Sequence, residues 1–124
     1  MRFVIKFGGS SLSTVSKVKK VAEFVSYFLK TKANELVIVV SAMGKTTDAL
    51  LNLAKKANKN LPKEKLPELV CIGEKISANV LSLALENIGV DNVVLYPENI
   101  RMFCKGEKDC GVLTHIETQR ILHT

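Results

Sequence analysis

The chain contains two short apolar runs that are each followed by a glycine-containing turn and then by an amphipathic segment. The run Arg2–Phe7 is followed by Gly8 and Gly9, and the run Leu36–Val40 is followed by a turn that contains Gly44. Short, continuously apolar runs of this kind are typical of parallel strands that are covered on both faces. The repeated order of strand, turn and helix restricts the chain to α/β folds with right-handed crossovers.

Apolar residues recur at helical spacing in three further segments. This spacing predicts helices over residues 14–32, 46–58 and 69–88. Ser13 or Thr14 can cap the first helix, and a Ser, Thr or Asp side chain near residue 46 can cap the second. Pro67 suits the first turn of the third helix, and Gly89 supplies its stop.

Weaker strand signals follow the third helix. Asn92–Tyr96 is predicted to be a third strand that ends at Pro97, and Gly111–Leu122 is predicted to form one or two more. The predicted fold class is therefore α/β, with an open, mainly parallel sheet and helices on both faces.

The net charge of +6 suits nucleic acid, an anionic membrane or small acidic ligands. The lysines are dispersed and aromatic residues make up 6% of the chain, so we do not expect nucleic-acid binding. The first residues do not resemble a signal peptide or a spanning segment, and we expect no membrane partner. Cys71, Cys104 and Cys110 lack the spacing of a zinc site, which predicts reduced thiols in a cytoplasmic protein and no metal site.

Ligands of open α/β sheets bind outside the carboxyl ends of the strands, so the turns after the strands are the candidate site. In the first turn, Gly8 and Gly9 allow close approach of the backbone to a ligand, and their N–H groups can face phosphate oxygens. Lys6 adds a positive charge that is costly inside a buried strand unless it meets an anion. The alternative is a plain tight turn beside an ordinary lysine.

The second turn invites a P-loop interpretation, because Gly44, Lys45 and Thr46 lie between a strand and a helix. A P-loop also needs a glycine five positions before Gly44, and that residue is Val39. The P-loop interpretation is therefore rejected. An anion can still bind at the amino terminus of the helix that follows.

Gly73 and Glu74 interrupt the apolar pattern of the third helix. A glycine inside a helix costs about 1 kcal/mol relative to alanine. A close backbone contact or a bound ligand would explain it. The alternative makes Glu74 a surface carboxylate that pairs with Lys75 or Lys65.

Together, the segments 6–11, 39–48 and 73–77 resemble the aspartate kinases of the amino-acid kinase family. The resemblance runs from Phe3 to about Tyr96 and implies the amino-terminal, amino-acid-binding half of that family's catalytic domain. It also implies transfer of the γ-phosphate of ATP, with Mg²⁺, to the β-carboxylate of L-aspartate. The product, 4-phospho-L-aspartate, would begin lysine, threonine and methionine biosynthesis.

The resemblance further implies roles for individual residues. Lys6 would be catalytic, neutralising charge on the transferring phosphoryl group. The ATP phosphates would be bound by Lys6, Gly8, Gly9 and Ser10. Aspartate would be bound by Ser41, Thr47 and Glu74, with the Glu74 carboxylate pairing with the α-ammonium of the substrate.

The match weakens over residues 97–104, and the family's nucleotide-binding half, its Gly-Arg-Gly-Gly-Ser-Asp segment and its regulatory ACT repeats have no counterpart here. We therefore expect a fragment, a truncated product or a half that works with another chain, with negligible activity alone. The expected partners are aspartate and ATP, together with further copies of the chain or the missing carboxyl-terminal half. Two alternatives stay open: a kinase of another small acidic substrate, and a non-catalytic ligand-binding or assembly module.

Overall fold

The computed structural model describes residues 1–106 and 112–124, which form two compact units, Met1–Asn92 and Val93–Thr124. The first unit consists of β1 (Arg2–Phe7), α1 (Val15–Thr31), β2 (Glu35–Val40), α2 (Thr46–Ala57) and α3 (Leu66–Asn87). The second consists of β3 (Met102–Lys105), β4 (Val112–Ile116) and α4 (Thr118–Leu122). The predicted α/β class is confirmed, and the first two strands and three helices lie close to their predicted bounds.

The sheet of the first unit is the parallel pair β1–β2, in register from Arg2 opposite Glu35 to Phe7 opposite Val40. Successive side chains of a strand point to opposite faces. The face that carries Phe3, Ile5 and Phe7 is the more buried face of β1.

Aromatic contacts hold this face against α1. The ring of Phe3 meets that of Phe28 edge-to-face with centroids 5.2 Å apart, and Phe7 meets Phe24 at 6.2 Å. These separations are those of favourable aromatic pairs. The helix that follows β1 is thereby fixed over the sheet.

The core of the first unit lies between α1, α3 and this face of the sheet. Its buried residues are Leu12, Val18, Val21, Ala22, Val25, Leu81 and Leu85. Leu36, Ile38 and Val40 of β2 pack against them. Full burial of a Val or Leu side chain stabilises a fold by about 1.5–3 kcal/mol, so this cluster is the main source of stability in the unit.

The ends of α1 and α3 follow the predicted signals. Thr14 is the N-cap of α1, where its Oγ1 accepts a hydrogen bond from the amide of Lys17 at 3.2 Å. Pro67 lies in the first turn of α3, and Gly89 adopts φ +78° just beyond the end of that helix. Only glycine adopts such a left-handed conformation without strain, which explains why the helix ends there.

The predicted cap of α2 is wrong. Lys45 occupies the N-cap position, and no side chain caps this helix among the described residues. The Thr46 hydroxyl instead donates to the carbonyl of Met43 at 2.5 Å, back into the preceding turn. Asp48 lies in the first turn of α2 and interacts favourably with the helix dipole from there.

The predicted third strand, Asn92–Tyr96, is also wrong. A strand needs a hydrogen-bonded neighbour, and within 1–106 and 112–124 the strands pair as β1 with β2 and β3 with β4. The amide of Tyr96 accordingly donates to the Asn99 side chain at 2.9 Å, which begins a turn.

The prediction of strands between Gly111 and Leu122 is correct for β4, which pairs with β3 in antiparallel orientation. It is wrong for Thr118–Leu122, which is helical. Arg120 hydrogen-bonds to Glu117 three residues earlier, a spacing that supports a helical turn, and this contact lowers the pKa of the Glu117 carboxyl. Gly111 and Cys110 lie outside the described residues.

Candidate functional site

The turn after β1 closes on itself and is anchored in the core. The amide of Ser11 donates to the carbonyl of Gly8 at 3.2 Å, and that of Leu12 donates to the carbonyl of Gly9 at 3.3 Å. Leu12 is fully buried, so it fixes the end of the turn. No hydrogen bond from the amides of Gly9 and Ser10 is found within the described part of the chain. These two donors can therefore serve an anionic ligand.

The turn after β2 is hydrogen-bonded to the turn after β1. The amide of Ser41 donates to the carbonyl of Phe7 at 3.2 Å, and the amide of Gly44 donates to the carbonyl of Gly9 at 3.1 Å. The two turns therefore form one surface at the carboxyl end of the sheet, which is where ligands of α/β proteins bind.

Two glycines make this contact between the turns possible. A Cβ atom on Gly9 would lie 2.9 Å from the carbonyl oxygen of Ala42. Gly44 has φ +47°, and a Cβ atom there would lie 3.2 Å from the Cα and Cβ of Ser13. A side chain at either position would push the turns apart.

The amino-terminal half of α3 packs against the second turn through Gly73. A Cβ atom on Gly73 would lie 3.2 Å from the Cβ of Ala42 and 3.4 Å from the Cγ2 of Thr46. A close contact thus explains the glycine inside the helix, which is one of the two explanations offered by the sequence. Glu74 is the next residue and is exposed.

The structure brings most of the predicted site residues to one region. Gly8, Gly9, Ser10 and Ser41 lie in the joined turns. Thr47 lies in the first turn of α2, and Glu74 follows the glycine that contacts this turn. The segments that carry these six residues are joined through the second turn, which contacts both the first turn and Gly73 of α3.

Lys6 is placed differently. Successive side chains of β1 point to opposite faces, and that of Phe7 points toward α1. The side chain of Lys6 therefore points away from α1, and it is exposed. The structure shows no contact that joins Lys6 to Thr47 or Glu74. Lys6 lies two residues before Gly8, near the carboxyl-terminal end of β1.

A depression of about 430 Å³ beside the first turn was not anticipated from the sequence. It is lined by Phe7, Ser10, Ser11, Lys17, Lys20, Val21 and Phe24. Lys17 Nζ donates to the carbonyl of Ser10 at 3.3 Å, so this lysine supports the turn. In the sequence Lys17 is one of the dispersed lysines, and only the length of its side chain and the short distance along the chain to Ser10 could have indicated the contact.

Ser77 was also missed as an individual residue. It lies one helical turn after Gly73, is fully buried, and its Oγ has no hydrogen-bond partner among the residues that the structure describes. A buried hydroxyl without a partner costs free energy, so its presence calls for a reason. The motif match included Ser77, but no role followed from it.

Within the described ranges, no group of three or more His, Cys, Asp or Glu side chains could hold a metal ion. In the same ranges, no helix has the length and apolar character needed to cross a membrane. Cys71 and Cys104 are exposed free thiols.

The fold and the joined turns define an α/β protein whose ligand-facing edge is built from the carboxyl ends of parallel strands. Comparison with known proteins defines it further. The family model of the amino acid kinase family matches residues 1–124. The chain belongs to the amino acid kinase family.

Similar proteins within this family are aspartokinases. The chain is 40% identical over 90 residues to an aspartokinase of Bacillus sp. (strain MGA3) and to aspartokinase 2 of Bacillus subtilis (strain 168). Each match covers 73% of this chain and 22% of the relative. The crystal structure of aspartate kinase from Synechocystis superposes with a TM-score of 0.70 at 38% identity, covering 77% of this chain and 16% of that one. The resemblance to aspartate kinases is confirmed, and the chain spans about a fifth of the length of these curated relatives.

Proposed function

We propose that the chain provides the amino-acid-binding and phosphate-binding turns of an aspartate kinase. In this function the γ-phosphate of ATP is transferred to the β-carboxylate of L-aspartate, giving 4-phospho-L-aspartate for lysine, threonine and methionine biosynthesis. The 40% identity to aspartokinases supports this proposal. The observation that carries it is the hydrogen bond from the Gly44 amide to the Gly9 carbonyl, because this bond joins the two turns into one surface.

The first turn is proposed to bind the phosphates of ATP. Gly8, Gly9 and Ser10 would present backbone amides to phosphate oxygens, as anion-binding turns do. Lys6 would neutralise the charge that develops on the transferring phosphoryl group, which is the catalytic role proposed for it. Lys17 would hold Ser10 in place through the hydrogen bond that its ammonium group donates to the Ser10 carbonyl.

The second turn and α3 are proposed to bind aspartate. Ser41 and Thr47 would donate hydrogen bonds to a carboxylate at the amino terminus of α2, a position that favours anions. The exposed Glu74 carboxylate would pair with the α-ammonium group, which distinguishes an amino acid from a plain dicarboxylate.

The reaction needs little proton transfer from the protein. The side-chain carboxyl of aspartate, with an unperturbed pKa of about 3.9, is already ionised at neutral pH and can attack directly. Catalysis then consists mainly of positioning and of stabilising charge. Mg²⁺ bound with the nucleotide would supply further neutralisation of phosphate charge beside the amides of Gly8, Gly9 and Ser10.

Phosphoryl transfer is proposed to require more polypeptide than this chain provides. Its relatives are matched over 22% of their length, so most of an aspartokinase has no counterpart here. We expect the isolated chain to bind aspartate weakly and to have negligible kinase activity. Association with the complementary part of a kinase domain, or with further copies, is proposed for the active form. A cytoplasmic location stays a prediction.

Titration calorimetry with the full 124-residue chain tests the aspartate site. L-Aspartate is expected to bind, and Glu74→Gln is expected to weaken binding about tenfold or more, because a hydrogen bond to a charged group is lost. Glu86→Gln, on the same helix and also exposed, is the matched control and should leave binding unchanged. Tighter binding of glutamate or uridylate than of aspartate would instead favour another substrate of the same family.

The non-catalytic alternative is supported by the same short coverage of the relatives. Trapping of aspartyl phosphate with hydroxylamine, in a chimera that replaces the matched segment of Bacillus subtilis aspartokinase 2 with residues 1–92 of this chain, separates the two functions. Product that is lost on Lys6→Met supports the kinase. Aspartate binding without product supports a binding module.

A further inference from the structure

The depression beside the first turn combines a cationic part with an apolar part. Its volume of about 430 Å³ is that of a site for a small molecule. Its polar lining residues are Ser10, Ser11, Lys17 and Lys20, and its apolar lining residues are Phe7, Val21 and Phe24. No lining residue is acidic, so the charge of the two lysines is not neutralised within the depression.

The periodicity of α1 places both lysines on the wall of the depression. Lys17, Lys20, Val21 and Phe24 follow one another at helical spacing and therefore share one face of the helix. Like charges at this spacing repel each other. Within residues 1–106 and 112–124, no ion pair involves either lysine. An anion that contacts both ammonium groups would relieve this repulsion.

Lys17 is already oriented by the first turn. Its Nζ donates to the carbonyl of Ser10 at 3.3 Å. An ammonium group has three donors, so two remain for a ligand. Because this contact orders the side chain before a ligand arrives, less conformational entropy is lost on binding.

The apolar part of the depression is only partly covered. The ring of Phe24 packs edge-to-face on that of Phe7 with centroids 6.2 Å apart, yet Phe24 stays 44% exposed. A ligand with an apolar body would remove this surface from water, which is favourable. A bare phosphate or acetate would leave it exposed. The two parts together therefore match a ligand with an anionic end and an apolar body.

We propose that the depression is an accessory binding site for a small carboxylate that carries an apolar body about the size of a phenyl ring. The carboxylate accepts charge-assisted hydrogen bonds from Lys17 and Lys20, and the apolar body lies against Phe24. This site goes beyond the proposed function and needs neither aspartate nor ATP.

A titration of the full 124-residue chain with phenylacetate, followed by nuclear magnetic resonance, tests the site. Saturable shifts are expected for the amide resonances of Ser10, Ser11 and Phe24, with a Kd of about a millimolar for a ligand of this size. Acetate lacks the ring and phenylacetamide lacks the charge. Each should bind at least tenfold more weakly than phenylacetate, because one of the two contacts is lost.

A matched pair of lysine variants locates the binding. Lys20→Met keeps the length of the side chain and removes its charge, and it should weaken phenylacetate binding at least tenfold. Lys19→Met causes the same change of net charge at the adjacent exposed position, which does not line the depression. This control should bind like the original chain. Circular dichroism verifies that both variants have folded.

Three outcomes would overturn the accessory site. They are the absence of saturable shifts in the folded chain, equal weakening by Lys19→Met and Lys20→Met, and binding of acetate or pyrophosphate at these residues as tight as that of phenylacetate. The last result would show an anion site that belongs to the phosphate-binding turn. Phenylacetate binding without aspartate binding would refute the proposed function and leave the accessory site intact.

Discussion

At the scale of single residues, the site depends on positions where a side chain has no room. The Cβ atom of an alanine at position 9 would lie 2.9 Å from the Ala42 carbonyl oxygen, whereas nothing lies within 4 Å of one at position 8. Gly9→Ala is expected to lower the free energy of unfolding by about 1–3 kcal/mol through overpacking. Gly8→Ala should have little effect. Urea unfolding of both variants checks this, and equal midpoints would show that the turns separate without cost.

Ser77 and Ser82 provide a second matched pair, both within α3. The buried Ser77 hydroxyl has no partner among the described residues, whereas Ser82 donates to the Asn92 side chain at 2.6 Å. Ser77→Ala should therefore leave the stability unchanged or raise it by up to about 1 kcal/mol, while Ser82→Ala should lower it by about 0.5–1 kcal/mol. Thermal unfolding measures both. Strong destabilisation by Ser77→Ala would reveal a hydrogen bond that the structure does not show.

At the scale of elements, the pairing of β1 with β2 has an electrostatic contribution that depends on pH. The hydrogen bond from Arg2 and its charge lower the pKa of the Glu35 carboxyl below its ordinary value of 4.5. A carboxyl whose pKa is lowered by folding stabilises the fold above its unfolded pKa, and this contribution disappears as the pH falls through the folded pKa.

Glu35→Gln is therefore expected to be slightly less stable than the original chain at pH 7 and equally stable once the pH falls below the lowered pKa. Both side chains are exposed, so the effect should be small and should shrink in salt. Denaturant titrations between pH 7 and pH 3 measure the difference. Glu64→Gln, which removes an exposed carboxylate elsewhere, is the control. A stability difference that does not shrink as the pH is lowered through the acidic range would contradict the assignment.

Comparison of the predicted and observed elements shows which sequence signals were sufficient to locate a helix or a strand. The bounds of α1 and α3 follow from apolar spacing, from the Thr14 cap and from the Gly89 stop. The prediction of a strand over Asn92–Tyr96 was wrong because an apolar run indicates only a preference for extended backbone. A strand also needs a hydrogen-bonded partner. The prediction of a side-chain cap for α2 was wrong because the Thr46 hydroxyl donates to the Met43 carbonyl instead. The spacing of residues in the sequence does not distinguish these two hydrogen bonds.

At the scale of the whole molecule, the buried core cluster lies entirely within Met1–Asn92. A chain that ends at Asn92 is therefore expected to keep its helical circular dichroism and a single cooperative thermal transition. A matched truncation at Leu81, which removes the buried Leu85, should lose that cooperativity. A chain ending at Asn92 that melts without a transition would show that the second unit is needed for folding.

The sequence by itself determined the class of fold, the order of the first five elements and the segments that carry the candidate site. These properties are local, since they arise from apolar periodicity, from glycine conformation and from capping within a few residues of the chain. The tertiary structure decided which segments meet: the Gly44 amide bonds to the Gly9 carbonyl, Gly73 packs on Ala42, and Lys6 lies on the face of the sheet away from α1. Such contacts join residues far apart in the chain, and they depend on packing between elements rather than on the residues near them.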